Sequence, residues 1–295
     1  MAITNFPDGV SSFGVTVTGG GIPAPSLNGR VLFVDGTNGS NGNEGTNKDA
    51  PLATITKAES IARSGDVIAI SPGSYNETVT VNVANLTFVG LGGRGAVYIE
   101  PSAAGAEGMQ ITNVDDVTLI NIGIDGDDTA DYALNLNDVS RFRAYGCKFE
   151  LGSGTGPAVL LDGDANGQVG DALFRDCEFA WAGVGLQADD SAYGVPTQIF
   201  VDNCRFHNIT TACINEKDAG AWYTNLQVTN CVFDTQEDGT EPTDWVVVDH
   251  ASSSGIFSGN RFATATNATG VLTIGAQVMW VANATEAGWS TARPA

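Results

Sequence analysis

The sequence predicts an all-β fold, a parallel β-helix solenoid with a short helix capping its N-terminal end. Three observations carry this. The phrases "YGCKF" (145–149), "RDCEF" (175–179), "DNCRF" (202–206), "TNCVF" (229–233) and "SGNRF" (258–262) align in one register. They give a column of Cys147, Cys177, Cys204 and Cys231, ending in Asn260 and spaced by 30, 27, 27 and 29 residues. Two places on stands an aromatic column of Phe149, Phe179, Phe206, Phe233 and Phe262, with a weaker early copy in "LINIGI" (119–124). A second set, "GMQIT" (108–112), "ALNLN" (133–137), "AVLLD" (158–162), "GLQAD" (185–189), "ACINE" (212–216), "WVVVD" (245–249) and "GVLTI" (270–274), repeats at about the same period. Each copy is a short alternating segment bounded by Gly, Asn or Asp, which is a strand signal. A period of roughly 20–50 residues signals a solenoid, and short strands with no helices between them exclude helical repeats.

In such a solenoid, equivalent residues of successive coils stack about 4.8 Å apart. The four aligned cysteines then read as a buried ladder, because free Cys behaves as a small apolar residue. Cys213, in the second column, takes the same core reading. Adjacent ladder members can approach each other, so an occasional disulfide stays open. Zinc is disfavoured, since no C-x-x-C or Cys/His pairing occurs. The residues before the ladder cysteines are Gly146, Asp176, Asn203 and Asn230. These types tolerate the left-handed backbone of a tight corner.

An open solenoid needs caps. "TITKAESIARSG" (54–65) places Ile55, Ala58, Ile61 and Ala62 on one helical face. Thr56 and Glu59 have capping-box spacing, Thr54 is the alternative cap, and Gly65 can end the helix. The organisation expected is an extended N-terminal arm over 1–30, a β-helix over 31–265 with its capping helix near 54–64, and a C-terminal cap or oligomer contact over 266–295.

Of the 295 residues, 13 are Lys or Arg against 34 Asp or Glu, a formal charge of −21. Such a surface repels phosphate, so neither nucleic acid nor an anionic membrane is an expected partner. No stretch approaches the roughly 18 apolar residues of a membrane helix. The start "MAITNFPDGV" has no basic n-region or apolar h-region, and the expectation is synthesis in a host cytoplasm.

Residues 31–81 resemble the opening of right-handed parallel β-helix proteins of the pectin-lyase-like superfamily. The matching features are "FVDGTNGSN", "PLATITKA" and "GDVIAISPGSYNE". The superfamily includes lyases, hydrolases, adhesins and viral structural proteins, so the resemblance fixes a fold and leaves the chemistry open. The arm, with Phe6 and Phe13 isolated in a Gly/Pro/Ser-rich stretch, resembles the "NFP-x-G" leaders of tailed-bacteriophage virion proteins. An arm that orders against a partner is a docking device, which makes Phe6 and Phe13 the expected docking residues.

The superfamily's catalytic signatures do not transfer. Polygalacturonase-like enzymes carry Asn-Thr-Asp, Asp-Asp, Gly-His-Gly and Arg-x-Lys blocks. Here only "DD" at 189–190 occupies a comparable corner, and His250 sits in "DHAS". His207 also lacks a companion motif. "GLGGRG" (90–95) is followed by a strand pattern, "AVYIEP", so it is no dinucleotide loop. The column-ending acids Asp162, Asp189, Glu216 and Asp249 share a register in the alignment. Rung spacing would suit a carboxylate pair for glycoside cleavage or oxygen ligands for Ca²⁺, while the plain reading is a row of acidic turn residues. If any residues are catalytic, Asp189, Glu216 and Asp249 are the candidates; no cofactor is expected.

The resulting expectation is a virion structural protein on the capsid exterior, a decoration, cement or head-fibre protein. It would dock on the major capsid protein or another virion protein through its arm. The resemblance to phage β-helical proteins implies a homotrimer. The alternative is a tailspike or adhesin that binds a host-surface glycan, with its cleavage left open.

Overall fold

The computed structural model describes residues 11–12, 15–16, 29–101, 103, 105–127, 129–152, 154–163, 167–189, 195–216, 221–235, 237, 242–248, 250–263, 271–274, 277–285 and 288–290. It is a parallel β-helix with three faces. The first face is a ten-stranded sheet running from Val31–Val34 to Val278–Val281. The second and third faces belong to one sixteen-stranded sheet. They are joined where the long strands Glu178–Ala188 and Arg205–Glu216 run round the corner between them. Pairing between successive coils is parallel and in register, for example Phe149 on Phe179, Phe179 on Phe206 and Phe206 on Phe233.

The alternation of the strand sequences decides what is inside. Along the second face Ile99, Ile124 and the five column phenylalanines point inward and are buried. From Phe179 to Phe262 the rings lie nearly parallel, with centroids 4.5, 4.9 and 4.5 Å apart. Cys147, Cys177, Cys204 and Cys231 are buried beside them and free, as is Cys213. The thiols of Cys204 and Cys231 each reach the carbonyl two residues earlier, at 3.4 and 3.2 Å. Burial pushes the Cys147, Cys204 and Cys213 thiols up.

The corner before this ladder is left-handed in each coil: Asn121, Gly146, Asp176, Asn203, Asn230 and Gly259 have φ between 53° and 69°. At Gly146 space matters as well, since a Cβ would fall 2.6 Å from Asn121 Oδ1.

The capping helix spans Ile55–Ile61 and ends at Ala62, three residues before Gly65. Its N-cap is Thr54, whose hydroxyl accepts from Lys57 N at 3.1 Å. Thr56 is the second helical residue, and its N–H and hydroxyl instead bind Glu77, which also accepts from Ile55 N. A carboxylate from the next coil thus satisfies the free N–H groups of the first turn. Buried Glu59 accepts from Asn82 N at 2.8 Å, so its role is to tie the helix to the solenoid rather than close a capping box.

Further strands flank the repeated coils at both ends. Ser11–Ser12 and Val15–Thr16 pair antiparallel. Val278–Val281 adds a further rung to the first face, and Asn283–Thr285 continues the second before pairing antiparallel with Gly288–Ser290. Trp280 stacks near Phe257 and Phe262 inside this last rung.

Candidate functional site

The acidic column does not form one ladder. Asn137 pairs with Asp162, and Leu161 pairs with Ala188, so Asp162 and Asp189 share a register. Between Ala182 and Val184 a bulge shifts the next strand by one residue, and Glu216 lies opposite Ala188 instead of Asp189. A one-residue shift sends a side chain to the other face of the sheet. Glu216 accordingly is buried, accepting from His250 N at 2.9 Å and from the buried Ser253 hydroxyl. It braces a corner and does not face Asp189. Asp249 lies outside the described residues, as do Phe6 and Phe13.

His250 stacks on Trp222, with ring centroids 4.9 Å apart. His207 belongs to a denser polar group on the outer second face. Its Nε2 lies 2.8 Å from Glu178 Oε1, and its Nδ1 lies 2.9 Å from Asn208 Nδ2. Asn208 Oδ1 accepts from Glu237 N, which turns the amide nitrogen towards the ring. The imidazole Nδ1 is therefore an acceptor, and Nε2–H donates to Glu178. One rung away Lys148 binds Glu150 at 2.5 Å and stands 5.8 Å from the centre of the Tyr98 ring. The hydrogen bond from His207 holds the Glu178 carboxyl below its usual range against the effect of burial. Burial opposes charge on Lys148, but the hydrogen bond and charge of Glu150 outweigh it and raise its pKa.

The middle residue of the Cys-x-Phe phrase carries the signal that reveals this group. Read down the coils it is Lys148, Glu178, Arg205 and Val232, an outward column of alternating charge. The first face carries a groove of about 390 Å³, lined by Arg143, Leu173, Phe200 and Gln227 among others. Its guanidiniums are paired, Arg143 with Asp171 and Arg175 with Asp202. Several outward arginines on this solenoid pair with an acid of the neighbouring coil, as Arg143 does with Asp171, Arg175 with Asp202 and Arg205 with Asp234. Among the described residues no group of three or more His, Cys, Asp or Glu side chains is arranged to hold a metal ion, and no helix is long and apolar enough to cross a membrane.

These features define a three-faced parallel β-helix. A family model described as "Protein of unknown function (DUF1565)" matches residues 37–84. No curated protein matches the chain. Among solved structures, ORF18 of Geobacillus virus E2 superposes with a TM-score of 0.58 at 14% identity, covering 79% of this chain and 57% of that one. The chain thus spans little more than half the length of that viral protein. A pectin methylesterase from Aspergillus niger gives 0.53 at 17% identity, covering 89% and 86%. PfbA, a surface adhesin of Streptococcus pneumoniae, gives 0.50 at 12% identity, covering 77% and 72%. At these identities the likeness is one of fold, and the fold is compatible with enzymes and with binding proteins alike.

Proposed function

We propose that the chain is a structural virion protein of a tailed bacteriophage: a capsid decoration, cement or head-fibre protein whose β-helix projects outward. The observation that carries this reading is the fold shared with ORF18 of Geobacillus virus E2 over 79% of this chain. The "NFP-x-G" leader supports it. Residues 1–30 are the docking arm, the major capsid protein or another virion protein is its partner, and the working oligomer is a homotrimer. Electron microscopy of purified virions with and without this protein tests the reading. Density on the capsid is the expected result; absence of the protein from virions would overturn it.

A second reading, a tailspike or adhesin on host-surface glycan, is favoured by the likeness to the PfbA adhesin. Density on the tail instead of the capsid would select it. The non-cleaving form of both readings is supported by the register shift that separates the candidate carboxylates Asp189 and Glu216.

A further inference from the structure

The three faces of the solenoid differ in what they turn outward. The second face carries Lys148, Glu178 and Arg205 along its centre, and the third carries the amides Gln110, Asn135, Gln187 and Asn215. On the first face Leu173, Phe200, Gln227, Ile256 and Met279 lie opposite one another on five successive strands. Their neighbours along the strands, such as Val201 beside Phe200 and Phe257 beside Ile256, are fully buried, so the column itself points outward. It holds four apolar side chains and one amide. The first four members are partly exposed, and Met279 is 62% exposed, more than any other large apolar side chain described.

A sheet of parallel strands is ordinarily covered on both sides, and an apolar stripe with a polar rim marks a surface that meets another protein. The rim here is two ion pairs, Arg143 with Asp171 at 2.8 Å and Arg175 with Asp202 at 3.0 Å. The groove of about 390 Å³ lies in the same stretch, lined by Leu173 and Phe200, and gives the stripe relief that a partner's side chain can fill. Charge and area choose the occupant. At a formal charge of −21, two copies of this chain repel each other over most of their surface. On this stripe two arginines offset two aspartates, so copies can meet without that repulsion. The face has ten strands of three to six residues. At ~4.8 Å between strands and ~3.3 Å per residue its flat footprint is roughly 600 Å². A standard interface takes ~800 Å² of accessible surface from each partner, which the relief of the side chains supplies only if the whole face engages. Full engagement holds neighbouring solenoids parallel.

We propose that the first face is the self-association surface of this chain, with the stripe from Leu173 to Met279 packed against the same stripe of two further copies round a threefold axis. The proposal rests on the homotrimer of the reading above and assigns the surface that closes it. Turned to one axis, the same residue of each chain meets its two counterparts on every rung, and closure leaves no surface for further growth. Gln227 is the polar rung: its Nε2 donates to Asn225 Oδ1 at 3.1 Å, and its remaining amide groups can pair with those of the other copies.

Sedimentation velocity of the full chain tests this. The parent should run as a trimer at about 10 µM. Phe200→Asp and Met279→Asp each place three like charges together on the axis, and each should weaken association at least about a hundredfold and leave folded monomers. Val232→Asp, on the outward column of the second face, should leave the trimer intact. Circular dichroism and a melting curve of the monomeric variants separate lost association from lost folding. Met279→Asp changes an exposed side chain, so it decides the matter if Phe200→Asp does not fold. A parent trimer that withstands Met279→Asp would overturn the assignment of this face and leave the homotrimer standing. A parent that stays monomeric up to about 100 µM would overturn both. Neither outcome bears on the virion reading, which microscopy of the particles decides.

Discussion

Asn260 stands where a fifth cysteine would stack, and its Oδ1 accepts the backbone N–H of Cys231 at 2.8 Å. Its Nδ2 donates to Val228 O and to Asn283 Oδ1, both at 2.9 Å, and Asn283 Nδ2 donates to Phe257 O. Both asparagines are fully buried. The interior column thus changes from thiols to amides in its last two coils, where each amide ties one coil to the next. Asn260→Ala leaves the buried Cys231 N–H without its acceptor and takes one donor from Val228 O. A buried orphan costs about 1–3 kcal/mol, so chemical denaturation should show a loss of about that size.

The four ladder cysteines and Cys213 should resist alkylation in the native protein and label fully only in denaturant. Burial removes access, and for Cys147, Cys204 and Cys213 it also suppresses the thiolate that reacts. Mass spectrometry after brief iodoacetamide treatment checks this. Rapid native labelling of three or more would contradict the buried ladder.

Phe206 stacks between Phe179 and Phe233. Its truncation to alanine should cost about 3–5 kcal/mol, while Phe206→Leu, which fills most of the space, should cost less. Parallel denaturant melts of the two variants separate lost volume from misfolding.

The cysteine and phenylalanine columns were legible because the period is regular and the residue types are unmistakable. The register of Glu216 was not. The distance from Cys177 to Asp189 equals that from Cys204 to Glu216, so any alignment stacks the two acids. The bulge between Ala182 and Val184 is a backbone event that neither residue announces. Thr54 and Thr56 were equally plausible caps by spacing. The choice was made by Glu77, a residue of the following coil that no local pattern connects to the helix. The Glu178–His207 pair was readable only after the coils were laid in register, because its members are 29 residues apart.

Glu216→Gln should destabilise the protein and remove no activity. The substitution keeps the shape but leaves one acceptor oxygen where the carboxylate offered two, so either the His250 N–H or the buried Ser253 hydroxyl loses its acceptor. A loss of about 1–3 kcal/mol is expected. A polysaccharide depolymerase assay that is positive for the parent and negative for a folded Glu216→Gln variant would reverse the non-cleaving reading.

The Glu178–His207 contact makes stability depend on acid. The folded Glu178 carboxyl lies below its usual range. Its contribution is therefore present above the unfolded carboxylate pKa of about 4.3 and is lost as pH falls through the lower, folded value. Glu178→Gln should flatten part of the decline in melting temperature below about pH 4.5 while changing little of its shape at higher pH.

Deleting residues 1–28 should leave a folded solenoid that no longer attaches to particles. The first coil is held from Gly29 onward. Arg30 N donates to Asp66 Oδ1 at 2.7 Å, the Arg30 guanidinium binds Asp66 and Ile61 O, and Val67 N donates to Arg30 O. Hydrogen bonds on Arg30 also hold the Asp66 carboxyl below its usual range despite burial. None of these contacts needs the arm. What the arm would supply is Phe6 and Phe13, each contributing roughly 1.5–3 kcal/mol if buried on a partner, less the cost of ordering the segment. Circular dichroism and a melting curve should match the full chain, while sedimentation with virions lacking the protein should show binding of the full chain alone. Normal occupancy of the truncated chain would place the anchor on the solenoid. Light scattering at micromolar concentration bears separately on the trimer, and a monomer there would count against it.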